Sequence, residues 1–255
     1  MGFGVPVTLP GTNSGDASQA VLKLRAVAPR TERYYATKRV IDVCIALLLA
    51  VIFAPLLPVI AVAIKLDSRG PVIFRQERLR GHRVNLGGTW CWEVRPFTFY
   101  KFRTMTADAS TTTHQQYMQA YITNDAQQMS QAQGAGATSY KLTNDRRITR
   151  VGRVLRATSL DEIPQLWNVL TGEMSLVGPR PPLPYEVELY EERQLGRLAG
   201  PSGLTGWWQV NGRCETNFEQ MIQLDLDYIA RCSLWLDLKI LILTLPAVLT
   251  GRGAG

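Results

Sequence analysis

The sequence predicts an α+β fold, mostly helical, with one proline-broken apolar helix set re-entrantly into a membrane near the N-terminus. Three observations carry that expectation. The run Val43–Ile64 has no charged residue yet contains Pro55 and Pro58, two short stretches alternate like strands, and several downstream segments repeat apolar residues at helical spacing. The chain has 255 residues, 46% hydrophobic and 19% charged, enough for one large domain with appendages. Its 28 basic residues outnumber 21 acidic ones, for a net charge of +7, which favours an anionic partner.

Residues 1–36, rich in Gly, Ser, Pro and Ala, read as an extension with little core of its own. The membrane element is expected over 37–68. A straight helix from Val43 to Ile64 would reach ~33 Å at ~1.5 Å per residue, about one hydrocarbon core. Its position, about forty residues in and without a small-residue cleavage site, excludes a signal peptide. A helix buried in a soluble core is the competing reading.

A proline inside a helix removes a hydrogen bond and clashes with the preceding turn, so the run should break at Pro55, with Pro58 close behind. Each arm is then too short to cross ~30 Å. Basic residues flank both ends: Lys23, Arg25, Arg30, Arg33, Lys38 and Arg39 before it, and Lys65, Arg69, Arg75, Arg78, Arg80 and Arg83 after it. A helix that enters, breaks and leaves by the same face keeps both sets in the cytoplasm.

The main domain is expected over 69–233. After the turn 65–71, Val72-Ile73-Phe74 begins a short strand and Phe97–Phe102 alternates like another. The glutamine-rich stretch 106–140, with Gly134-Ala135-Gly136, reads as a mobile excursion or lid, with helix in part as the other reading. Helices are expected at Ile148–Arg156, at Ile163–Leu170 stopping at Gly172, at Tyr185–Leu198 and at Phe218–Cys232. The end, 234–255, begins with an apolar amphipathic segment interrupted at Pro246, too short to span and suited to an interface or a core.

Composition also removes chemistries. Cys44, Cys91, Cys214 and Cys232 are far apart with no Cys-x-x-Cys, so a disulfide framework and a structural zinc site are not expected. The two histidines, His82 and His114, stand alone, which disfavours histidine metal sites and Ser-His-Asp triads. No phosphate-binding glycine loop of either common type is present, so side chains must hold any phosphate.

Chemistry therefore falls to carboxylates, and Ser159-Leu160-Asp161-Glu162-Ile163-Pro164-Gln165 offers a pair. Adjacent acids are hard oxygen ligands suited to Mg²⁺, and an aspartate can also act as a nucleophile on phosphorus. Ser159-x-x-Glu162 reads equally well as a helix capping box with no chemistry. Its company favours a site. Arg156 lies upstream; Gly178-Pro179-Arg180-Pro181-Pro182 and Gln209-Val210-Asn211-Gly212-Arg213 follow; Lys101 sits on an expected strand. Arginines framed by Gly and Pro suit bidentate phosphate contacts.

These blocks make the chain similar to the bacterial sugar transferases, the monotopic polyprenyl-phosphate phosphoglycosyl transferases, from about Lys38 to Gly253. The most specific stretch runs from Thr158 through Leu170 and on through Gly172-Glu173-Met174-Ser175-Leu176-Val177-Gly178-Pro179-Arg180-Pro181. Phe74-Arg75-Gln76-Glu77-Arg78, Gly203-Leu204-Thr205-Gly206-Trp207 and Trp235-Leu236-Asp237-Leu238-Lys239 also match. The resemblance implies a re-entrant helix, a cytoplasmic catalytic domain on the bacterial inner membrane, and Mg²⁺. It further implies transfer of a sugar-1-phosphate from a UDP-sugar to undecaprenyl phosphate with release of UMP, the first membrane step of exopolysaccharide, capsule, O-antigen or glycoprotein glycan assembly.

By motif, Asp161 matches the nucleophile and Glu162 its dyad partner, both expected to hold the metal. Lys101, Arg156, Arg180 and Arg213 match the phosphate site, and Asp237 matches less closely. Two departures stand out. Ala54-Pro55 replaces the family's usual Ser-Pro at the break, and Gly81–Pro96, with Trp90 and Trp92, exceeds the usual hairpin. The chain resembles the minimal catalytic form plus an N-terminal extension. A non-enzymatic basic scaffold for anionic lipid is the alternative function; nucleic acid is not an expected partner. The sugar, the pathway and the oligomeric state, a homodimer included, stay open.

Overall fold

A computed structural model describes residues 30–106, 112–125, 127–129, 147–211 and 216–249. The expected N-terminal extension lies almost wholly outside the described residues. So does much of 106–140.

Helix α1, Glu32–Phe53, ends two residues before Pro55, and α2, Leu56–Asp67, starts one residue after it. Pro55 occupies the N-cap of α2. Pro58 falls in its first turn, where backbone N–H groups have no partner inside the helix and a proline costs little. Pro55 therefore makes the break and Pro58 only follows it. The two axes bend by 63°, and no single helix among the described residues is long and apolar enough to cross a membrane.

The two faces of this bent pair differ. Inward, Ala46, Ile60 and Ile64 are buried in the domain. Outward, Leu48, Val51, Ile52, Val59, Val62 and Leu66 are each more than half exposed, Leu66 at 83%. Both sequence readings meet here: one face is core, and the other is a continuous apolar surface of the kind soluble proteins seldom leave open.

Strands β1, Ile73–Leu86, and β2, Thr89–Phe102, pair antiparallel from Ile73↔Phe102 to Leu86↔Thr89. The expected two short strands are thus one long hairpin, and the Gly81–Pro96 insertion is its outer half. Its turn is Gly87-Gly88, both at positive φ (61° and 91°), the backbone that two-residue hairpin loops require. The insertion docks on the start of α1. Trp92 meets Tyr35 edge to face, and the Arg83 guanidinium lies over both the Tyr35 ring (4.5 Å) and the Trp90 ring (4.0 Å).

Helix α3, Thr112–Ile122, is a helical part of the glutamine-rich stretch. Tyr117, Met118, Ala120 and Tyr121 are buried against Met129, Trp208, Phe218, Met221 and Ile222. Aromatic and methionine residues within the glutamine-rich stretch supply this core.

Helix α4 spans Arg150–Ala157, and α5, Gln165–Thr171, ends at left-handed Gly172 (φ 83°) as expected. Strand β3, Ser175–Val177, runs parallel to β4, Gly203–Thr205. The single helix expected over Tyr185–Leu198 is instead α6, Pro184–Val187, then α7, Glu192–Leu195, then a 3-10 turn, Gly196–Leu198. Glu191 is extended and caps α7 through a box with Gln194, which restarts the helix. Helix α8 covers Trp207–Asn211, α9 Phe218–Arg231 and α10 Leu234–Leu249. The last continues through Pro246, where an interruption was expected. Cys44, Cys91 and Cys232 are free thiols; Cys214 lies outside the described residues.

The central core gathers Phe97 and Phe99 from β2, Leu166 and Val169 from α5, Leu176 and Val177 from β3, Tyr228 from α9, Ile240 from α10 and Ala46 from α1. The bent apolar helix pair is therefore part of the main core through Ala46.

Candidate active site

The acidic pair sits on a 3-10 turn, Leu160–Glu162, between α4 and α5. Ser159, just before it, adopts φ 56°, ψ 15°, a left-handed conformation few non-glycine residues take, and its side chain makes no capping bond. The capping-box reading of Ser159 and Glu162 is thereby overturned. Leu160 and Ile163, on either side of the pair, pack with Leu56, Ile60 and Ile64 of α2 and with Phe102 and Leu155. The acids are thus carried directly on the inner face of the bent helix pair.

Cations reach this turn from separate elements. Lys101, near the end of β2, has its ammonium 5.1 Å from the Phe74 ring centre. Burial, opposed by the nearby Asp161 carboxylate and reinforced by Arg156, Arg78 and Arg180, lowers its pKa to about 8. Arg156 projects from α4 and donates from Nε to Thr104 Oγ1 at 3.0 Å. The glycine one turn earlier, Gly152, lies so close to the Thr104 backbone that any side chain would collide with it, which fixes α4 against the exit of β2.

Arg180 stands 3.7 Å from Glu162 Oε1. Its loop is tied down on both sides. Gly178 pairs with Thr205 (N to O, 2.9 Å), and Gly203 with Pro179 (N to O, 2.9 Å), an approach too close for side chains at either glycine. From below, Arg197 donates to the Arg180 carbonyl at 3.3 Å while paired with buried Asp225 at 2.6 Å.

Sequence reasoning placed Lys101, Arg156, Asp161, Glu162 and Arg180 in one site, and the structure brings these five together. Arg213 lies outside the described residues. Asp237 is elsewhere. Its Oδ2 accepts from Lys38 Nζ (3.0 Å) and Tyr34 OH (3.1 Å), and its Oδ1 from Tyr228 OH (2.7 Å). Both oxygens are occupied by protein donors, and a negative charge there opposes phosphate; the assignment of Asp237 to the phosphate site is corrected. A groove of about 320 Å³ between α1 and α10, lined by Ile41, Ile45, Val177, Leu238 and Leu241, belongs to this clamp and not to the acidic pair.

Residues assigned no role from the sequence also belong to the site. Arg78, buried, donates to the Pro181 carbonyl at 2.6 Å and stacks 4.3 Å over Phe99. It lay in a matching block, which was the available signal. His114 Nδ1 and Tyr185 OH are 2.7 Å apart. Burial, then the charges of Arg78, Lys101, Arg147 and Arg180, push the His114 imidazole down to about 4. No local pattern announced either residue.

A family model described as bacterial sugar transferase matches residues 33–251. The chain belongs to the bacterial sugar transferase family. Among its relatives, a UDP-glucose:undecaprenyl-phosphate glucose-1-phosphate transferase of Caulobacter vibrioides is 43% identical over 225 residues, covering 85% of this chain and 71% of the relative. The galactosyl transferase CpsE of Streptococcus agalactiae is 42% identical over 187 residues, 72% of this chain but 36% of its own length. The exopolysaccharide production protein ExoY of Rhizobium meliloti is 36% identical over 217 residues, covering 85% and 87%. The sugar transferase thus spans most of some relatives and well under half of others.

Proposed function

We propose that this sugar transferase moves a sugar-1-phosphate from a UDP-sugar to undecaprenyl phosphate, releasing UMP, through a phosphosugar ester on Asp161. The observation that carries the reading is the convergence of Lys101, Arg156, Arg78 and Arg180 around a carboxylate pair mounted on the bent apolar helices. The names of relatives acting on undecaprenyl phosphate support it.

Asp161 attacks the sugar-linked phosphorus. The bond from that phosphorus to the bridging oxygen breaks, and its electron pair leaves with UMP. An oxygen of undecaprenyl phosphate then attacks the same phosphorus, the aspartyl–phosphorus bond breaks, and the carboxylate is restored with no net proton transfer. The arginines and Lys101 hold the donor and offset the charge on its oxygens.

The donor set fits Mg²⁺ of the kind that takes one or two protein carboxylates and completes its shell with phosphate and water. Asp161 and Glu162 are adjacent, and no group of three or more metal-ligating side chains gathers among the described residues. They would hold the ion. Bound there, it supplies charge neutralisation for the departing phosphate.

The same reading places the outward apolar face in the cytoplasmic leaflet of the inner membrane. If both arms share the 63° bend, α2, ~18 Å long, descends only about 10 Å, one leaflet deep, and both ends stay on one side. The lipid phosphate then meets the acidic pair while its tail remains in the bilayer.

UMP release from membranes carrying the protein, given a UDP-sugar with and without undecaprenyl phosphate, tests the activity. Sustained release only with the lipid is expected; a lipid-binding scaffold releases none. Cysteine labelling near residues 30 and 75 tests the topology: same-side labelling is expected, and labelling from opposite sides contradicts it.

A further inference from the structure

We propose that His114 and Tyr185 together form the contact that reads the sugar of the donor, an assignment that rests on the phosphosugar-transfer reading above. Their side chains are joined by the 2.7 Å hydrogen bond between Nδ1 and OH, with the rings edge to face at 6.4 Å. Each is held from behind. His114 lies on α3, whose Tyr117, Met118 and Tyr121 are locked into the core with Phe218, Met221 and Ile222. Tyr185 follows Arg180 along Pro181-Pro182-Leu183-Pro184, a segment stiffened by three prolines and pinned by Arg78 at the Pro181 carbonyl.

The chemistry of the pair differs from everything else around the acids. Lys101, Arg156, Arg78 and Arg180 are cations suited to phosphate, whereas the pair is a neutral imidazole and a phenol. Burial, reinforced by the surrounding positive charge, keeps the imidazole unprotonated at neutral pH. Among the described residues its Nε2 makes no hydrogen bond, while Nδ1 is fixed by Tyr185. A neutral ring nitrogen beside a hydroxyl suits a neutral partner with several hydroxyl groups.

Which neutral part of the donor this is follows from connectivity. His114 is within electrostatic reach of Lys101 and Arg180, the cations that also face Asp161 and Glu162. The pair, whose Tyr185 follows Arg180 along the Pro181–Pro184 segment, therefore borders the cations assigned above to the donor phosphates. The hexose is bonded to the reacting phosphorus through one oxygen, while the uracil lies beyond the second phosphate and a ribose.

The test uses the full-length membrane-bound protein with Tyr185→Phe, which keeps the ring and loses only the hydroxyl, and His114→Asn. Affinities for UDP-glucose, UDP-galactose and UDP, together with kcat/KM for the two sugars, are compared with those of the unaltered protein. Since a lost hydrogen bond to a substrate hydroxyl is felt by one epimer more than another, the glucose-to-galactose ratio should change about tenfold in at least one variant, with UDP affinity unchanged. An equal loss for both sugars and for UDP would assign the pair to the uridine and overturn the proposal. Unchanged ratios in folded variants of both residues would overturn it too. Binding separates the two levels: if the unaltered protein binds UDP-sugars but releases no UMP, the transfer reading fails while the affinity ratios still judge the sugar contact.

Discussion

Asp237 and Asp161 are both nearly buried acids beside a lysine, yet their surroundings fit them for opposite work. Asp237 has Lys38 at 3.0 Å and phenols from Tyr34 and Tyr228 on its two oxygens. Next to it, Asp42 of α1 accepts from Ser175 Oγ (2.7 Å) and the Leu176 N–H (3.2 Å). These bonds fasten α1 to β3, α9 and α10, and within them each acid is consumed by the protein itself. Around Asp161 the setting differs. Lys101, Arg156, Arg78 and Arg180 gather near it from separate elements, and Arg180 stands 3.7 Å from Glu162, beyond hydrogen-bond length. Asp237 clamps two helices; Asp161 sits where cations suited to a polyphosphate converge.

The largest effect expected from this contrast is at Asp161. Asp161→Asn should lower UMP release at least ~1,000-fold while leaving thermal stability and membrane retention unchanged. Full activity in that variant would merge the two classes of acid. The clamp should behave the other way. Lys38→Met or Asp237→Asn alone strands a buried partner and should cost about 3–5 kcal/mol in urea unfolding. Removing both should cost less than the sum, as a double-mutant cycle shows for coupled groups. If Asp237→Asn instead raised the KM for donor without loss of stability, Asp237 would return to the phosphate site.

A smaller change is expected at Arg180. Arg180→Lys keeps the charge but loses the planar fork, so the KM for UDP-sugar should rise about tenfold. A pH effect, confined to acid conditions, comes last. The folded state holds His114 well below its ordinary value, so folding disfavours its protonation and stability should fall as pH drops from about 6.5 toward about 4. His114→Gln should flatten that acid limb in denaturant titrations. An unchanged limb would remove His114 from the cationic surroundings described.

The same contrast shows what could be read from the chain alone. The acidic pair was legible because its signal is local: two acids, then Pro164, then arginines framed by Gly and Pro. The break at Pro55 was legible because proline acts on its own helix. Asp237 was misread because its partners Tyr34 and Lys38 are 203 and 199 positions away, and nothing near Asp237 marks them. His114 and Tyr185, 71 positions apart, escaped for the same reason.

Some signals were present and went unused. Gly87-Gly88 between Leu86 and Thr89 is a hairpin turn in plain sight, yet the charged residues of Arg78–Arg83 hid the long strand before it. Arg78 and Arg83 there stack on aromatic rings, so charge did not mean solvent. Lys38 and Arg39, read as a cytoplasmic charge flank, also serve inside the protein: Lys38 in the clamp, and Arg39 donating to the Val169 and Leu170 carbonyls at the end of α5.

The ester at Asp161 is the step on which the proposed chemistry most directly depends. Incubating the membrane-bound protein with radiolabelled UDP-sugar and no lipid acceptor, then quenching and mapping the peptide by mass spectrometry, should find one phosphosugar on Asp161, discharged when undecaprenyl phosphate is added. Label on another residue, or lipid product forming with no protein-bound species, would contradict it.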